Sequence, residues 1–249
     1  MNEAIWLDQN IDTSTKIVTF LLAHLTAGAI MWCPPVFATP ILSTDFTGRT
    51  VSGKTAGNIP WTLDGVQDPG DLSWVQESGV PAGTALFDTA NAQGHFAPDM
   101  NIGNEGPWST TVALALTVPQ VTLQDVLLDW QHFSNAGGFQ GPARSADWTV
   151  SVTGSTSGLL GSITASGISG TSGIETLTFV SPLALSNAET YEVKIFVTSS
   201  ATIGNNTGLD ALTLNGTVIP EPGVPSLLFV GVISLALLRR AALFGRLRT

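Results

Sequence analysis

Cysteine is nearly absent from this chain: Cys33 is the only one. One thiol cannot form an internal disulfide, and it lies in a segment that processing is expected to remove. Thiolate catalysis and cysteine-held zinc are thereby excluded from the rest. Charge is also scarce, at 11% of residues, against about a quarter in an ordinary soluble domain. Basic residues are scarcest: between position 38 and the tail there are only Arg49, Lys54, Arg144 and Lys194. The formal net charge of −10 therefore sits on the middle of the chain. A surface of that sign repels phosphate backbones and excludes nucleic acid as a partner, while remaining compatible with cations such as calcium. No Gly-x-Ser-x-Gly elbow, His-Glu-x-x-His pair or phosphate-cradling loop is present. Gly53-Lys54-Thr55 lacks the upstream glycine that a phosphate loop requires.

What the chain has instead is Thr, Ser, Gly and Val, a mixture that suits short strands and tight turns, and two apolar ends. Near the start, Lys16 precedes a mostly apolar run from Ile17 to Trp32, which Pro34 and Pro35 break. Val36-Phe37-Ala38 follows, with small residues where a signal peptidase reads. Residues 1–38 are expected to be a signal peptide, forming a helix and cleaved between Ala38 and Thr39. Ala27-Gly28-Ala29 is a second possible site, and a buried helix or an uncleaved anchor is the alternative. The acidic residues Glu3, Asp8 and Asp12 ahead of Lys16 are unusual for such a signal and leave the true start open.

At the other end, Pro220-Glu221-Pro222 precedes an uncharged apolar run, Gly223 to Leu238, closed by Arg239 and Arg240. As a helix the run spans roughly 24 Å at 1.5 Å per residue, barely enough for a hydrocarbon core about 30 Å thick. The basic tail is expected to stay cytoplasmic. The order of these three parts resembles the PEP-CTERM sorting signal. The resemblance covers residues 218–249 and implies a membrane-anchored precursor with a transmembrane segment at 223–238. It implies recognition by an exosortase-like membrane protease, which removes the tail after the general export machinery and signal peptidase have acted. It also implies a bacterial producer of exopolysaccharide. An ordinary C-terminal anchor is the competing reading.

Residues 39–217 read as strands separated by turns. Val112, Leu114, Leu116 and Val118 alternate with Thr111, Ala113, Ala115 and Thr117, the period of a half-buried strand. Trp148 to Val152 and Tyr191 to Val197 repeat the pattern. Val121 to Phe133 is compatible with a helix but is read as a strand among β neighbours. The Ser/Thr/Gly-rich stretch Ser151 to Gly173 reads as strands with long flexible turns. The expected fold is all-β, an antiparallel jelly-roll-like sandwich, with its first strand near Ser43–Phe46 and its last at Gly208–Leu214. That last segment resembles the closing strand of galactose-binding-like and carbohydrate-binding jelly rolls.

Three kinds of chemistry are candidates. Calcium needs several oxygens; Asp45 and Asp210 approach if the terminal strands pair, with Asn205 and Asn206 nearby, although a turn at Asn205-Asn206 and local backbone bonds at Asp210 are the favoured reading. The loop with Asp64, Asp68 and Asp71 does not have EF-hand spacing and reads as a solvated turn. For a glycan, exposed aromatic faces are needed. Trp61, Trp74 and Trp108 lie beside turns and are the candidates, with core or rim packing the favoured reading for any one of them, whereas Trp130 and Trp148 read as core. For catalysis, Asp125, Asp129, Asp147, His95 and His132 are available, but no spacing fixes a pair, and no catalytic residue is assigned.

The reading is an exported cell-surface or extracellular-matrix protein, non-enzymatic and associated with exopolysaccharide, with structural calcium as the only cofactor considered. The alternative is a secreted carbohydrate-active hydrolase on a jelly-roll scaffold. The mature protein recovered from the producing cell should have an intact mass lacking the residues before Thr39 and after Pro222. A full-length mass in the cytoplasm would overturn the sorting expectation.

Overall fold

The computed structural model describes residues 38–77, 85–90, 92–99, 107–134, 136–139, 145–199 and 205–219. All belong to the second of two units, Ala38–Thr249. The expected signal and tail helices and the sorting motif at Pro220-Glu221-Pro222 lie outside the described residues.

Fourteen strands follow one another. The first seven are β1 (Thr39–Thr44), β2 (Thr50–Ser52), β3 (Thr55–Gly57), β4 (Thr62–Leu63), β5 (Leu72–Gln76), β6 (Ala85–Leu86) and β7 (Pro98–Asp99). The longer ones are β8 (Trp108–Leu114), β9 (Gln120–Ser134), β10 (Ser145–Gly154), β11 (Gly158–Ser169), β12 (Ser172–Ser186), β13 (Tyr191–Ser199) and β14 (Asn205–Ile219). A five-stranded sheet runs β12-β9-β14-β1-β4, and a seven-stranded sheet runs β11-β10-β13-β8-β5-β3-β2. β6 and β7 pair separately. The paired strands are antiparallel, as in β1 with β14 and β10 with β13. The protein is thus an antiparallel β-sandwich, and its first and last strands lie side by side as expected, with Thr44 opposite Leu212.

Alternation explains which side each strand shows. On β10, Trp148, Val150 and Val152 are buried; on β13, Tyr191, Val193, Ile195 and Val197 are buried. They meet Val126, Leu128, Trp130, Leu212 and Leu214 of the other sheet in one apolar cluster. Burying a side chain of this size stabilises by about 1.5–3 kcal/mol. The strand reading of 121–133 holds as β9, where Val121, Leu123, Val126, Leu128 and Trp130 face inward. Their parity changes between Leu123 and Val126 because Gln124 is an extra residue opposite β14.

Ser151 to Gly173 departs from expectation. Its turns are short, at residues 155–157 and 170–171, and the rest is regular strand in β10, β11 and β12. Half-buried Ile163, Ala165 and Ile168 pack on the core, and Thr149 and Thr164 share a hydroxyl hydrogen bond of 2.8 Å. Polar composition had suggested loop where it marks the solvent side of a ladder.

The turn between β10 and β11 is held from a distance. The Glu189 carboxylate accepts hydrogen bonds from the backbone N–H groups and the hydroxyls of Thr156 and Ser157, at 2.7–3.1 Å. Bonds to the Thr156 hydroxyl and backbone lead in lowering its pKa from 4.5 to about 2. A carboxylate whose folded pKa is depressed contributes stability above the unfolded value, and that contribution fades between pH 4.5 and 2. Glu189→Gln should lower the melting temperature by a few degrees at pH 7. The difference from the parent should vanish as pH approaches 2, as followed by calorimetry across pH.

Candidate functional site

The five-stranded sheet has an outer face that the sandwich core does not cover. On β9 it shows Asp125, Leu127, Asp129 and Gln131, all half-buried. Opposite them on β14 are Asn215, Thr213, Ala211 and Gly208. Asn215 donates to Asp125 at 2.7 Å. β12 adds Ile174 opposite Asp129, with 63% of its surface exposed.

A β-bulge builds the centre of this face. Leu209 pairs with Trp130 and Ala211 with Asp129, which leaves Asp210 as the extra residue on β14. A bulge bends the strand and re-aims a side chain. Here the Asp210 carboxylate meets His95, with Oδ1 3.0 Å from Nε2. Asp210 also acts on Asp129. The Asp129 pKa is raised, first by burial and then by the Asp210 charge, with His95 opposing.

His95 comes from a segment laid over one end of the face. Phe96 and Leu209 exchange two backbone hydrogen bonds, of 2.7 and 2.9 Å. The approach is so close that a Cβ on Gly208 would lie 2.6 Å from Ala97 Cβ and 2.8 Å from the Phe96 carbonyl. Beneath the segment, Phe87, Ala92, Ala97 and Phe133 form a second small core. The His95 ring stands edge-on to Phe133 at 5.2 Å and to Phe139 at 5.8 Å. Phe139 is 52% exposed, so an apolar ring lies beside the polar floor.

Arg49 ties the segment down. Its Nε donates to the His95 carbonyl, and Nη2 donates to those of Phe87 and Ala92. Burial lowers its pKa, with Asp88 opposing. Its donors therefore hold carbonyls in place and leave the carboxylates of Asp129 and Asp210 to His95.

The sequence-predicted residues distribute unevenly. Asp210 is at the centre of the site, but Asp45 is exposed and accepts a bond from the Thr47 backbone N–H at 3.0 Å. No group of three or more His, Cys, Asp or Glu side chains among the described residues is arranged to hold a metal. Trp74 and Trp108 are buried to 1% exposure and cannot offer a face to a glycan. Their strand positions alternate into the core, where Trp108 meets Trp148 edge-on at 6.1 Å and the Trp74 indole N–H donates to Ala85. Trp61 is half-buried against the core, and its N–H donates to the Gly70 carbonyl at 2.9 Å. Asp68 accepts from the Gly70 N–H in the exposed turn, as expected. Trp130 and Trp148 are core, also as expected. His132 is buried, with Nδ1 2.7 Å from the Thr207 hydroxyl. Asp147 lies on the other sheet, where it accepts from the Gly167 N–H. The grouping of His95, Asp129 and Asp210, and the role of Phe139, were not read from the sequence. The only local sign was Gly208, two residues before the bulge.

No protein-family description matches the chain, and neither does any curated protein. Among solved structures, the chain resembles the carbohydrate-binding module TmCBM61 in complex with β-1,4-galactotriose, at 11% identity and a TM-score of 0.28, over 68% of this chain and 88% of that one. It also resembles the isomalto-dextranase of Arthrobacter globiformis complexed with panose, at 12% identity and a TM-score of 0.29, over 73% and 24%. A third is the enzymatically active domain of tailspike protein 4 of bacteriophage CBA120, at 8% and 0.27, over 68% and 20%. Likeness at these scores carries no functional weight.

The packing of Gly208 gives a direct check on the site. Gly208→Ala should cost about 1–3 kcal/mol by overpacking and lift the 96–97 backbone from β14. Amide hydrogen exchange at Phe96 and Leu209 should accelerate, while exchange across β10 and β13 stays as it was.

Proposed function

We propose that the protein is an exported, non-enzymatic surface or matrix component that binds polysaccharide on the outer face of its five-stranded sheet. The observation that carries this is the exposed Phe139 ring packed against His95, whose imidazole meets the Asp210 carboxylate. A sugar ring has apolar C–H faces and a polar edge of hydroxyls. An aromatic body can take the first, and carboxylates and amides can take the second. Export and sorting rest on the two ends of the sequence, with an exosortase-like protease as partner and exopolysaccharide as the natural ligand. Of the tryptophans first considered for this role, the buried Trp74 and Trp108 give way to Phe139.

A hydrolase is the second reading, and one feature favours it. Asp129 and Asp210 act on each other electrostatically, and burial raises the Asp129 pKa, as a general acid requires. Glycoside hydrolysis uses two carboxyl groups about 5–9.5 Å apart. In Asp210, however, the second carboxylate is already engaged by His95.

Affinity electrophoresis of the full chain through gels containing neutral, cationic and anionic polysaccharides separates these readings. Retardation by at least one polysaccharide, reduced about tenfold by Phe139→Ala, is expected. That factor lies at the upper end of the roughly 0.5–1.5 kcal/mol that aromatic contacts contribute. Absence of retardation throughout would overturn the binding reading. Release of reducing ends that is abolished by Asp129→Asn would replace it with the hydrolase.

A further inference from the structure

We infer that two copies of this chain associate through the free edge of β11, antiparallel about a two-fold axis at Ile163, and join their seven-stranded sheets into one. The inference goes beyond the polysaccharide-binding reading and does not depend on it.

Among the described residues, four strands form the edges of the two large sheets: β12 and β4 in one, β11 and β2 in the other. An edge strand leaves a row of backbone N–H and C=O groups unpaired, ready for another strand. Folded proteins block such edges with short strands, bulges, proline or charge. Three of these four are blocked. β4 has two residues and β2 has three. β12 is long, but its ladder breaks between Thr178 and Leu183, with Pro182 in the break, and Glu175 adds a charge. β11 is the exception. Its twelve residues include no proline and no charged side chain.

The register of β11 defines the stretch open to a partner. At one end Leu160 is an extra residue opposite β10, and at the other Ser166 and Gly167 face Asp147 alone. There Gly167 has a φ of +69°, and its N–H donates to the Asp147 carboxylate at 2.7 Å. Bulges bend a strand and interrupt its ladder. Between them, Gly161 to Ala165 pairs without a break with Val152 to Trp148, and Ile163 is the middle residue.

That stretch is complementary to itself. Turned about Ile163, Gly161 of one copy faces Ala165 of the other, and Ser162 faces Thr164. Small meets small, and hydroxyl meets hydroxyl. Ser162 and Thr164 are exposed, and Thr164 already shares a hydroxyl hydrogen bond of 2.8 Å with Thr149 of β10. A Ser–Thr pair across the new seam continues that row. Thr149 is followed by Phe196 in one row, and Ser151 by Lys194 in the next. The nearest charge on either row, Lys194, is therefore two strands back from β11 and is paired with Glu77.

Charge selects a second copy as the occupant. The chain has a formal net charge of −10, so two copies repel wherever their acidic surfaces meet. The β11 edge brings them together where neither is charged, and an antiparallel self-pairing closes as an isologous dimer. Apolar surface flanks the Gly161 end: Leu159 is 66% exposed and Val180 is fully exposed. A Cβ on Gly161 would lie 3.0 Å from Leu183 and 3.3 Å from Phe179, the residues on either side of the β12 break that holds Val180. Pairing over so short a stretch falls below the roughly 1,200–2,000 Å² of a standard stable interface, so the dimer is reversible.

Sedimentation of the full chain in a non-ionic detergent, over a wide range of concentration, tests this. The mass should rise from one chain to two. Ser162→Lys and Thr164→Glu each act twice in a two-fold pair and should each weaken association about tenfold. Thr111→Lys, on the same face but three strands from β11, should leave it unchanged. A one-to-one mixture of the Ser162→Lys and Thr164→Glu chains should recover the association, because the register sets the new cation opposite the new carboxylate. Amide exchange at Gly161 to Ala165 in the parent should slow as concentration rises. A single-chain mass throughout would overturn the inference. So would a dimer that ignores both edge substitutions, growth past two chains, or a mixture no tighter than its components. Melting curves show whether the variants fold; should one fail to, amide exchange in the parent decides, and exchange at 161–165 that is indifferent to concentration sinks the proposal. None of these outcomes touches retardation by polysaccharide, so the two readings stand or fall separately.

Discussion

The placement of β14 between β9 and β1 is the constraint on which the rest depends. The last described strand is inserted at the middle of its sheet, with one neighbour from the start of the domain and one from its centre. Its register cannot slide, because a one-residue slip would turn Leu209, Leu212 and Leu214 outward and put Thr213 and Asn215 into the core. Yet Leu209 and Leu212 are both inward-facing and three residues apart, which regular alternation forbids. The extra residue at Asp210 resolves the conflict. The bulge is thus required by the core, and the outward turn of the Asp210 carboxylate towards His95 is its consequence.

The second support comes from the other side of β14. Gly208 lets the Phe96–Ala97 backbone approach as closely as a further strand would, and two hydrogen bonds fix it there. Once Phe96 is fixed, His95 has little choice of position. Arg49 then braces the carbonyl of the same residue. The imidazole is therefore set by backbone on one side and a guanidinium on the other, with Phe133 packed against its ring. Groups held this way are pre-arranged by the fold itself.

Much of the sandwich was legible because its strands are half-buried. Trp148, Val150 and Val152, or Tyr191, Val193, Ile195 and Val197, declare one inward face without reference to any other strand. The pairing of the first and last strands was also readable from their place at the ends of the domain. The bulges were not, since an extra residue changes the phase of the alternation without changing its composition. The site was illegible for a related reason. His95 and Asp210 are more than a hundred residues apart in the sequence, and what joins them is a bulge on one strand and a glycine two residues earlier. Tryptophans beside turns suggested exposed rings, but Trp74 and Trp108 begin or lie within strands, and parity takes them inward. A smaller aromatic, Phe139, was left outside because β9 turns back just before it, in the bridge between Phe133 and Phe139.

The balance between stability and recognition is drawn differently on the two sheets. On the outer side of the seven-stranded sheet, several polar groups bond one another. Thr149 bonds to Thr164, Thr55 to Ser73, and Glu77 to both Ser109 and Lys194. Around the bulge of the five-stranded sheet, by contrast, two carboxylates act on each other and the His95 imidazole keeps one nitrogen without a partner; further along β14, the buried Asn206 amide has none either. Each of these costs free energy in the unliganded protein, and an unsatisfied buried polar group alone costs about 1–3 kcal/mol. A fold selected only for stability would replace Asn206 with an apolar residue and Asp210 with Ser or Thr. Such atoms are not confined to this face, since the indole N–H groups of Trp108, Trp130 and Trp148 are also buried without partners, and it is the large sandwich core shared by both sheets that offsets the cost of them all.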